Sequence, residues 1–266
     1  AKRMNIELYN GDCLEVMKTI PSGSVDAIIT DLPYGTTACK WDEIIPFAPM
    51  WEAVKRVLKP RGVFVTTASQ PFTSRLIASN WDWFKYTLVW EKTVAANFMN
   101  AKNKPLVLHE DIAVFSDGTT ANRSQNRMTY NPQGVKRVNH HWKRPQKYPS
   151  EHNFTRESHK LERVIEFGEY PGSVIRFANG NNGNVHPTQK PVALYEYLIL
   201  TYTNPGETVL DITAGSGTTG VAAIKTGRNA ILIEKEPDYF ADMQRRIAAA
   251  QAQPSLPFSY EGASHD

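Results

Sequence analysis

The chain has 266 residues, 41% of them hydrophobic and 21% charged, and its 30 lysines and arginines against 27 aspartates and glutamates leave a formal net charge of +3. That composition excludes a disordered, collagen-like or coiled-coil chain, and no apolar run approaches the roughly 18 residues a membrane span needs. Two cysteines, Cys13 and Cys39, are too few for a disulfide scaffold or a four-cysteine zinc site.

In chain order, the charged start Ala-Lys-Arg-Met-Asn-Ile-Glu has no apolar h-region, so a soluble cytoplasmic protein without metal or membrane anchor is expected. Val25 to Asp31 reads as a buried strand ending in a carboxylate. Pro49 to Lys59 carries Trp51, Val54, Val57 and Leu58 at helical spacing and is stopped by Pro60 and Gly62. A strand over Gly62–Thr67, a short helix near Phe72–Ser79, and strands over Phe84–Trp90 and Ile112–Phe115 follow. Beyond them, Pro191 opens a helix through Leu194, Tyr197 and Leu198. Strand Thr208–Ile212, helix Thr218–Lys225, strand Asn229–Glu234 and a helix from Pro237 to about Ala250 complete the series, and a loose tail ends the chain. Such alternation predicts an α/β fold with a doubly wound, mainly parallel sheet.

Between the two series lies a basic island. From Thr120 to Ser150 there is no Asp or Glu, while Arg123, Arg127, Lys136, Arg137, Lys143, Arg144 and Lys147 give a local charge of +7. Tyr130, Trp142, Tyr148, His140 and His141 are interleaved with them. Cations for phosphates mixed with rings and amides for bases suit nucleic acid; a solvated loop is the plain alternative. The expected organisation is 1–115, an inserted region 116–176, 177–252, and a flexible tail 253–266.

Two segments carry chemistry. In Val209-Leu-Asp-Ile-Thr-Ala-Gly-Ser-Gly-Thr-Thr-Gly220, Gly215, Gly217 and Gly220 have the spacing of a glycine-rich turn between a strand and a helix, where free N–H groups face a ligand. Glu234 ends the next strand, 17 residues past Gly217, where a carboxylate can hold two ribose hydroxyls. This pattern fits a dinucleotide or S-adenosylmethionine alike. The second segment is Thr30-Asp-Leu-Pro-Tyr-Gly35. Asp31 sits at the carboxyl end of a strand, and Pro33 keeps Leu32 extended with its carbonyl free of helix pairing. A carboxylate and a peptide oxygen together accept both hydrogens of an exocyclic amine, with Tyr34 as a flat wall. A simple surface turn is the alternative.

Asp31-Leu-Pro-Tyr34 resembles the Asp-Pro-Pro-Tyr element of amino-group (adenine-N6 or cytosine-N4) DNA methyltransferases, and the glycine-rich segment resembles their S-adenosylmethionine loop. Asn10-Gly-Asp-Cys-Leu14, His109-Glu-Asp-Ile-Ala-Val-Phe115 and His186-Pro-Thr-Gln-Lys-Pro191 add matches. Their order, with the catalytic element first, then the basic region, then the cofactor loop, resembles the beta class. The similarity runs from about Asn5 to Arg246 outside the island, and the departure is Leu32 where the family has proline. Aspartate at the first position is similar to the adenine-N6 enzymes.

The resemblance implies a class I methyltransferase fold and a catalytic set of Asp31, Leu32, Pro33 and Tyr34. Around S-adenosylmethionine it implies Asp12 with its neighbour Cys13 near the adenine amine, and Asp211 on the amino group. Thr213, Gly215, Gly217, Thr218 and Thr219 follow at the methionine end, Glu234 on the ribose, and His186, Thr188 and Lys190 closing the far side. Plainer readings stand beside these: a surface lysine at Lys190, a satisfied buried histidine at His186, a helix-capping Asp211, a strand-end acid at Glu234, and packing roles for both cysteines. The implied reaction needs the target base flipped out of the duplex and no covalent enzyme intermediate. Implied partners are double-stranded DNA, a second copy of the chain and a companion restriction enzyme. Competing readings are an RNA or protein-amide methyltransferase, a nicotinamide-dependent oxidoreductase and an inactive DNA-binding module. Asp31 and Asp211 are 180 residues apart, so the methyltransferase reading requires their strands to sit side by side.

Overall fold

The computed structural model describes residues 4–36, 42–143, 162–179 and 189–252. Residues 4–131 and 173–252 form one compact unit, and 132–143 with 162–172 form a second. The first half of the large unit runs β1 (Ile6–Asn10), α1 (Cys13–Met17), β2 (Val25–Asp31), α2 (Phe47–Val57), β3 (Leu58–Ala68), α3 (Phe72–Ser79), β4 (Phe84–Ala96) and β5 (Val107–Ser116). The small unit is a hairpin of β6 (Lys136–Lys143) and β7 (Glu162–Gly168). The chain then returns through β8 (Val174–Phe177), α4 (Val192–Tyr202), β9 (Thr208–Asp211), α5 (Thr218–Thr226), β10 (Asn229–Glu234) and α6 (Pro237–Ala252).

Eight strands form one sheet in the order β1-β10-β9-β2-β3-β5-β4-β8. The first five are mutually parallel; β5 is antiparallel to β3 and to β4. Period-two alternation divides the core between the sheet's faces. Ala27, Ile29, Val63, Val65, Ile112 and Val114 pack with Leu194, Leu198, Ala222 and Met243 of α4, α5 and α6. Their neighbours Ile28, Phe64, Ala113 and Phe115 pack with Met17, Trp51, Val54 and Leu76 of α1, α2 and α3. A sheet buried on both faces needs apolar residues at consecutive positions, and this is why β2, β3 and β9 read as continuous runs. The doubly wound, mainly parallel sheet is therefore the fold, and no helix among the described residues is long and apolar enough to cross a membrane.

The structure adds elements that periodicity left out. β1 and the five-residue α1 are short, and α1 starts where the Asp12 side chain accepts the Leu14 N–H at 2.9 Å. Helix α2 begins at Phe47, because Pro49 in the first turn has no N–H that the helix needs. It ends at Val57, before Pro60 and Gly62. These lie instead in a bulge of β3, where Val25 pairs with Leu58 but Ala27 with Val63. Strands β4 and β5 extend past their apolar segments into a long hairpin whose outer half is exposed and lacks an apolar signature.

The second unit is narrower than the 116–176 insertion expected from charge. Met128 is buried in the main core, Asn131 donates its N–H to the Thr201 carbonyl at 2.7 Å, and β8 pairs with β4, so both flanks belong to the sheet unit.

Candidate active site

Strands β2 and β9 are neighbours and parallel, Ala27 opposite Val209 and Ile28 opposite Leu210. To one side of this pair the chain is wound through β10 and β1, to the other through β3, so their carboxyl ends flank the topological switch where open α/β sheets bind ligands. Asp31 and Asp211, 180 residues apart in sequence, end these two strands. Threonines stitch the ends together. The Thr30 hydroxyl donates to Asp211 Oδ1 at 2.7 Å and lies 2.7 Å from the Thr213 hydroxyl, which donates to the Asp31 carbonyl at 2.9 Å. Asp211 also accepts the Thr213 N–H at 3.1 Å and the Thr219 hydroxyl. Burial pushes its carboxyl up to about 6, against the three hydrogen bonds that favour ionisation.

The Asp31 side chain lies in a cluster of charges. Its Oδ1 accepts the Thr67 hydroxyl and, at 3.0 Å, the Tyr34 phenol. Its Oδ2 is 2.9 Å from Lys190 Nζ, and Lys190 is also 3.2 Å from Glu110 Oε2, whose other oxygen pairs with Lys92. Burial works against the Lys190 ammonium, but the two carboxylates outweigh it and raise its pKa above the ordinary range. Burial likewise works against ionised Glu110, yet Lys190 and Lys92 hold it below the ordinary carboxylate range. Tyr34 stacks on Phe72 with ring centroids 5.2 Å apart, and the Lys190 ammonium stands 5.6 Å from its ring centre. Burial and the nearby carboxylates push its phenol well up, so it remains a donor. Leu32 is buried, with its N–H 3.5 Å from the Thr66 hydroxyl.

The glycine-rich turn follows β9. Gly215 and Gly217 both have positive φ, and a Cβ on Gly217 would lie 2.7 Å from the Met243 side chain. Glycine at Gly217 thus provides both the left-handed backbone and room for α6. Glu234 accepts the Gly215 N–H on one oxygen and the Glu236 N–H on the other, each at 2.7 Å, and its pKa is raised by burial. Each oxygen keeps a further lone-pair direction for a ligand hydroxyl. Two residues without a role in the sequence reading support the turn. Arg246 donates to the Ser216 carbonyl and hydroxyl at 2.6 Å, and Gln189 accepts the Ser216 hydroxyl at 3.2 Å.

One cavity of about 660 Å³, within the range of small-molecule sites, is lined by both loops. Asp12, Cys13, Asp31–Tyr34, Lys190, Asp211, Thr213, Gly215, Thr218, Thr219 and Glu234 all reach it, as do Glu110 and Lys92. Cys13 is buried, and its thiol is pushed up to about 12, chiefly by burial and then by the Asp12 charge, which makes it inert packing. Lys190 is neither a surface lysine nor part of the glycine turn: it belongs to the Asp31 cluster. His186 and Thr188 lie outside the described residues, as does Cys39. Glu110 and Lys92 had one legible signal, a charge on a strand whose continuation is wholly apolar.

The basic island is divided. Arg123, at positive φ, and Arg127 lie on the segment that returns to the main core at Met128, whereas Lys136 and Arg137 lie on β6. Antiparallel pairing brings β7 alongside, and Lys136 meets Glu169 at 2.8 Å and Arg137 meets Glu166 at 3.0 Å. The window free of acids in sequence is thus not free of them in space. Lys143 is described only as part of the β6 backbone, and Arg144 and Lys147 lie outside the described residues.

The family model for DNA methylases of the N6/N4 type matches residues 25–245. The chain is 27% identical to the Type II methyltransferase M.HinfI of Haemophilus influenzae, over 93% of this chain and 70% of that protein. Among solved structures it resembles the M1.HpyAVI–SAM complex (TM-score 0.58, 24% identity, 91% of this chain and 99% of that one). It also resembles the cytosine-N4-specific PvuII DNA methyltransferase (TM-score 0.64, 18% identity, 93% and 91%). A DNA modification methylase of Thermus thermophilus complexed with S-adenosyl-L-methionine is a third (TM-score 0.56, 20% identity, 94% and 98%).

Proposed function

The chain belongs to the N6/N4 DNA methylase family, and from that premise we propose that it methylates the N6 amine of an adenine flipped out of double-stranded DNA, with S-adenosylmethionine as methyl donor. The observation that carries this reading is the single cavity shared by the Asp31 loop and the glycine-rich turn across the β2–β9 switch.

The donor set suits this cofactor. S-adenosylmethionine, when bound, supplies an electrophilic methyl group on a cationic sulfur, and the cavity wall carries Asp31, Asp211 and Glu234. Glu234 holds the ribose hydroxyls and Asp211 the amino group. Gly215 and Gly217 let the backbone approach closely, and Asp12 serves both as the cap of α1 and as an acceptor for the adenine moiety.

On the acceptor side, an aromatic amine is a poor nucleophile because its lone pair is conjugated with the ring. Asp31 and the Leu32 carbonyl accept its two hydrogens, bias the nitrogen towards a pyramidal shape and stabilise the positive charge that develops on it. Pro33 holds Leu32 extended, and Tyr34, fixed by Phe72, gives the base a flat wall. Lys190 places a cation beside Asp31, and Glu110 offsets it, so Asp31, Glu110, Lys92 and Lys190 together carry no net charge. Base flipping costs a few kcal/mol, which contacts to the phosphates offset. Arg123, Arg127, Lys136, Arg137, Lys143, Arg144 and Lys147 take that role. The exposed ion pairs of Lys136 and Arg137 are worth little and exchange readily for phosphate. Two copies on a symmetric site, and a companion restriction enzyme, are the further partners of this reading.

Nucleoside mass spectrometry of DNA treated with the protein and S-adenosylmethionine tests it. N6-methyladenine is expected; N4-methylcytosine keeps the mechanism and changes the base; no methylated nucleoside overturns the proposal. Single-molecule sequencing of the same DNA locates the modified site.

A further inference from the structure

The hairpin of β4 and β5 has a feature that the site does not use. Its inner part walls the cavity through Trp90, Lys92 and Ala96. Its outer part, beyond the Ala96–Val107 pair, is a turn that bonds to itself: the Asn100 N–H to the Asn97 carbonyl at 3.0 Å, Ala101 to Phe98 at 3.1 Å and Asn103 to Asn100 at 2.8 Å. This ordered turn presents Phe98 63% exposed and Met99 99% exposed, and Val94 and Leu108 on the flanking strands are exposed as well. Apolar surface held out by a self-bonded turn buries nothing within the chain and marks an interaction site. Its setting gives the partner's chemistry. From Lys92 to His109 there is no Asp or Glu, and Lys102 and Lys104 follow the two apolar residues directly. Apolar side chains bordered by lysines and asparagines, with no acid among them, complement a polyanion with a stacked apolar interior. The hairpin is braced behind the turn, where Asn179 donates to the Val94 carbonyl at 3.1 Å and Trp90 donates to the Phe177 carbonyl at 3.0 Å.

We infer that Phe98 and Met99 form a wedge that enters the DNA duplex beside the target base, with Lys102 and Lys104 on the adjoining phosphates. The inference rests on the reading of the cavity as the site of a flipped base. A duplex resists losing a base from its stack, and an apolar side chain in the opened step replaces the lost stacking. The wedge stands on the same hairpin that walls the cavity, so opening the duplex and receiving the base are coupled through one rigid element.

The test uses the full chain, S-adenosylmethionine and two short duplexes carrying the mapped site, one with the target base paired and one with an abasic position opposite it. With subsaturating DNA, the F98A/M99A variant is expected to methylate the paired duplex about tenfold or more slowly than wild type, yet the abasic duplex within about threefold, because pairing no longer opposes extrusion there. Both side chains are exposed, so S-adenosylhomocysteine affinity and thermal midpoint stay unchanged. Lys102→Gln with Lys104→Gln is expected to lower the slope of log affinity against log salt by about two. Equal loss on both duplexes, no loss on the paired one, or an unchanged salt slope overturns the wedge. So does a lower sedimenting mass for F98A/M99A, since the turn is then a contact between two copies. If wild type modifies neither duplex, the methyltransferase reading itself fails and the wedge falls with it; a loss confined to the variant keeps the two outcomes apart.

Discussion

Replacing Glu110 by glutamine perturbs the charge cluster at its centre. Glu110 pairs with both Lys92 and Lys190, and the three side chains are only 10–14% exposed. Wild type has two carboxylates and two ammoniums; E110Q has one carboxylate, Asp31, against two ammoniums. Removing one partner of a buried pair costs about 3–5 kcal/mol, and since the cluster borders an open cavity the lower end, about 3 kcal/mol, is expected. For a chain of this length about 2–4 °C is lost per kcal/mol, so the thermal midpoint falls by about 6–12 °C. Turnover falls as well. Lys190 loses one of its two counter-ions and leans on Asp31, competing with the amine for the same oxygen, while the uncompensated cation opposes positive charge on the attacking nitrogen. The assays are thermal unfolding and single-turnover methylation. E110Q combined with Lys92→Met restores neutrality and recovers most of the lost midpoint. Because Glu110 ionises below its ordinary range, its stabilisation is whole above that range and is lost as pH falls through its folded value, a limb that E110Q flattens. A loss below about 1 kcal/mol in E110Q, or a double variant less stable than the single one, would refute the account of the cluster.

Asp31→Asn keeps the shape of the side chain but removes its charge; turnover should be lost while S-adenosylhomocysteine affinity, measured by calorimetry, stays within about threefold. Loss of both together would make Asp31 a structural residue. Asp211, pushed up to about 6, gives two opposite pH effects. The unliganded protein loses this group's stabilisation as pH rises through about 6, whereas S-adenosylhomocysteine, whose amino group needs the ionised form, binds more weakly as pH falls through the same value. In Asp211→Asn both dependences should be flat. Gly217→Ala places a side chain at φ +81 and against Met243, so about 1–2 kcal/mol of stability should be lost together with cofactor binding. A variant that binds S-adenosylhomocysteine like wild type removes the close-approach argument for that glycine.

The fold class was legible in local pattern, because alternating apolar strands and amphipathic helices leave a parallel sheet few ways to bury both faces. Local pattern also marked the ends of β2 and β9, since Asp31-Leu-Pro-Tyr34 and the Gly215–Gly217 turn combine backbone restriction with chemistry over a few adjacent residues. Whatever depends on strand order, and on pairing across it, came from the folded chain alone. The β2–β9 contact joins residues 180 positions apart. Lys190 meets Asp31 instead of the cofactor turn only because α4 follows a segment that ends over β5, and Glu110 and Lys92 become partners only through the β4–β5 register. The division of the basic island has the same origin: β7 lays Glu166 and Glu169 beside Lys136 and Arg137, and a charge count along the chain has no access to neighbours across a ladder.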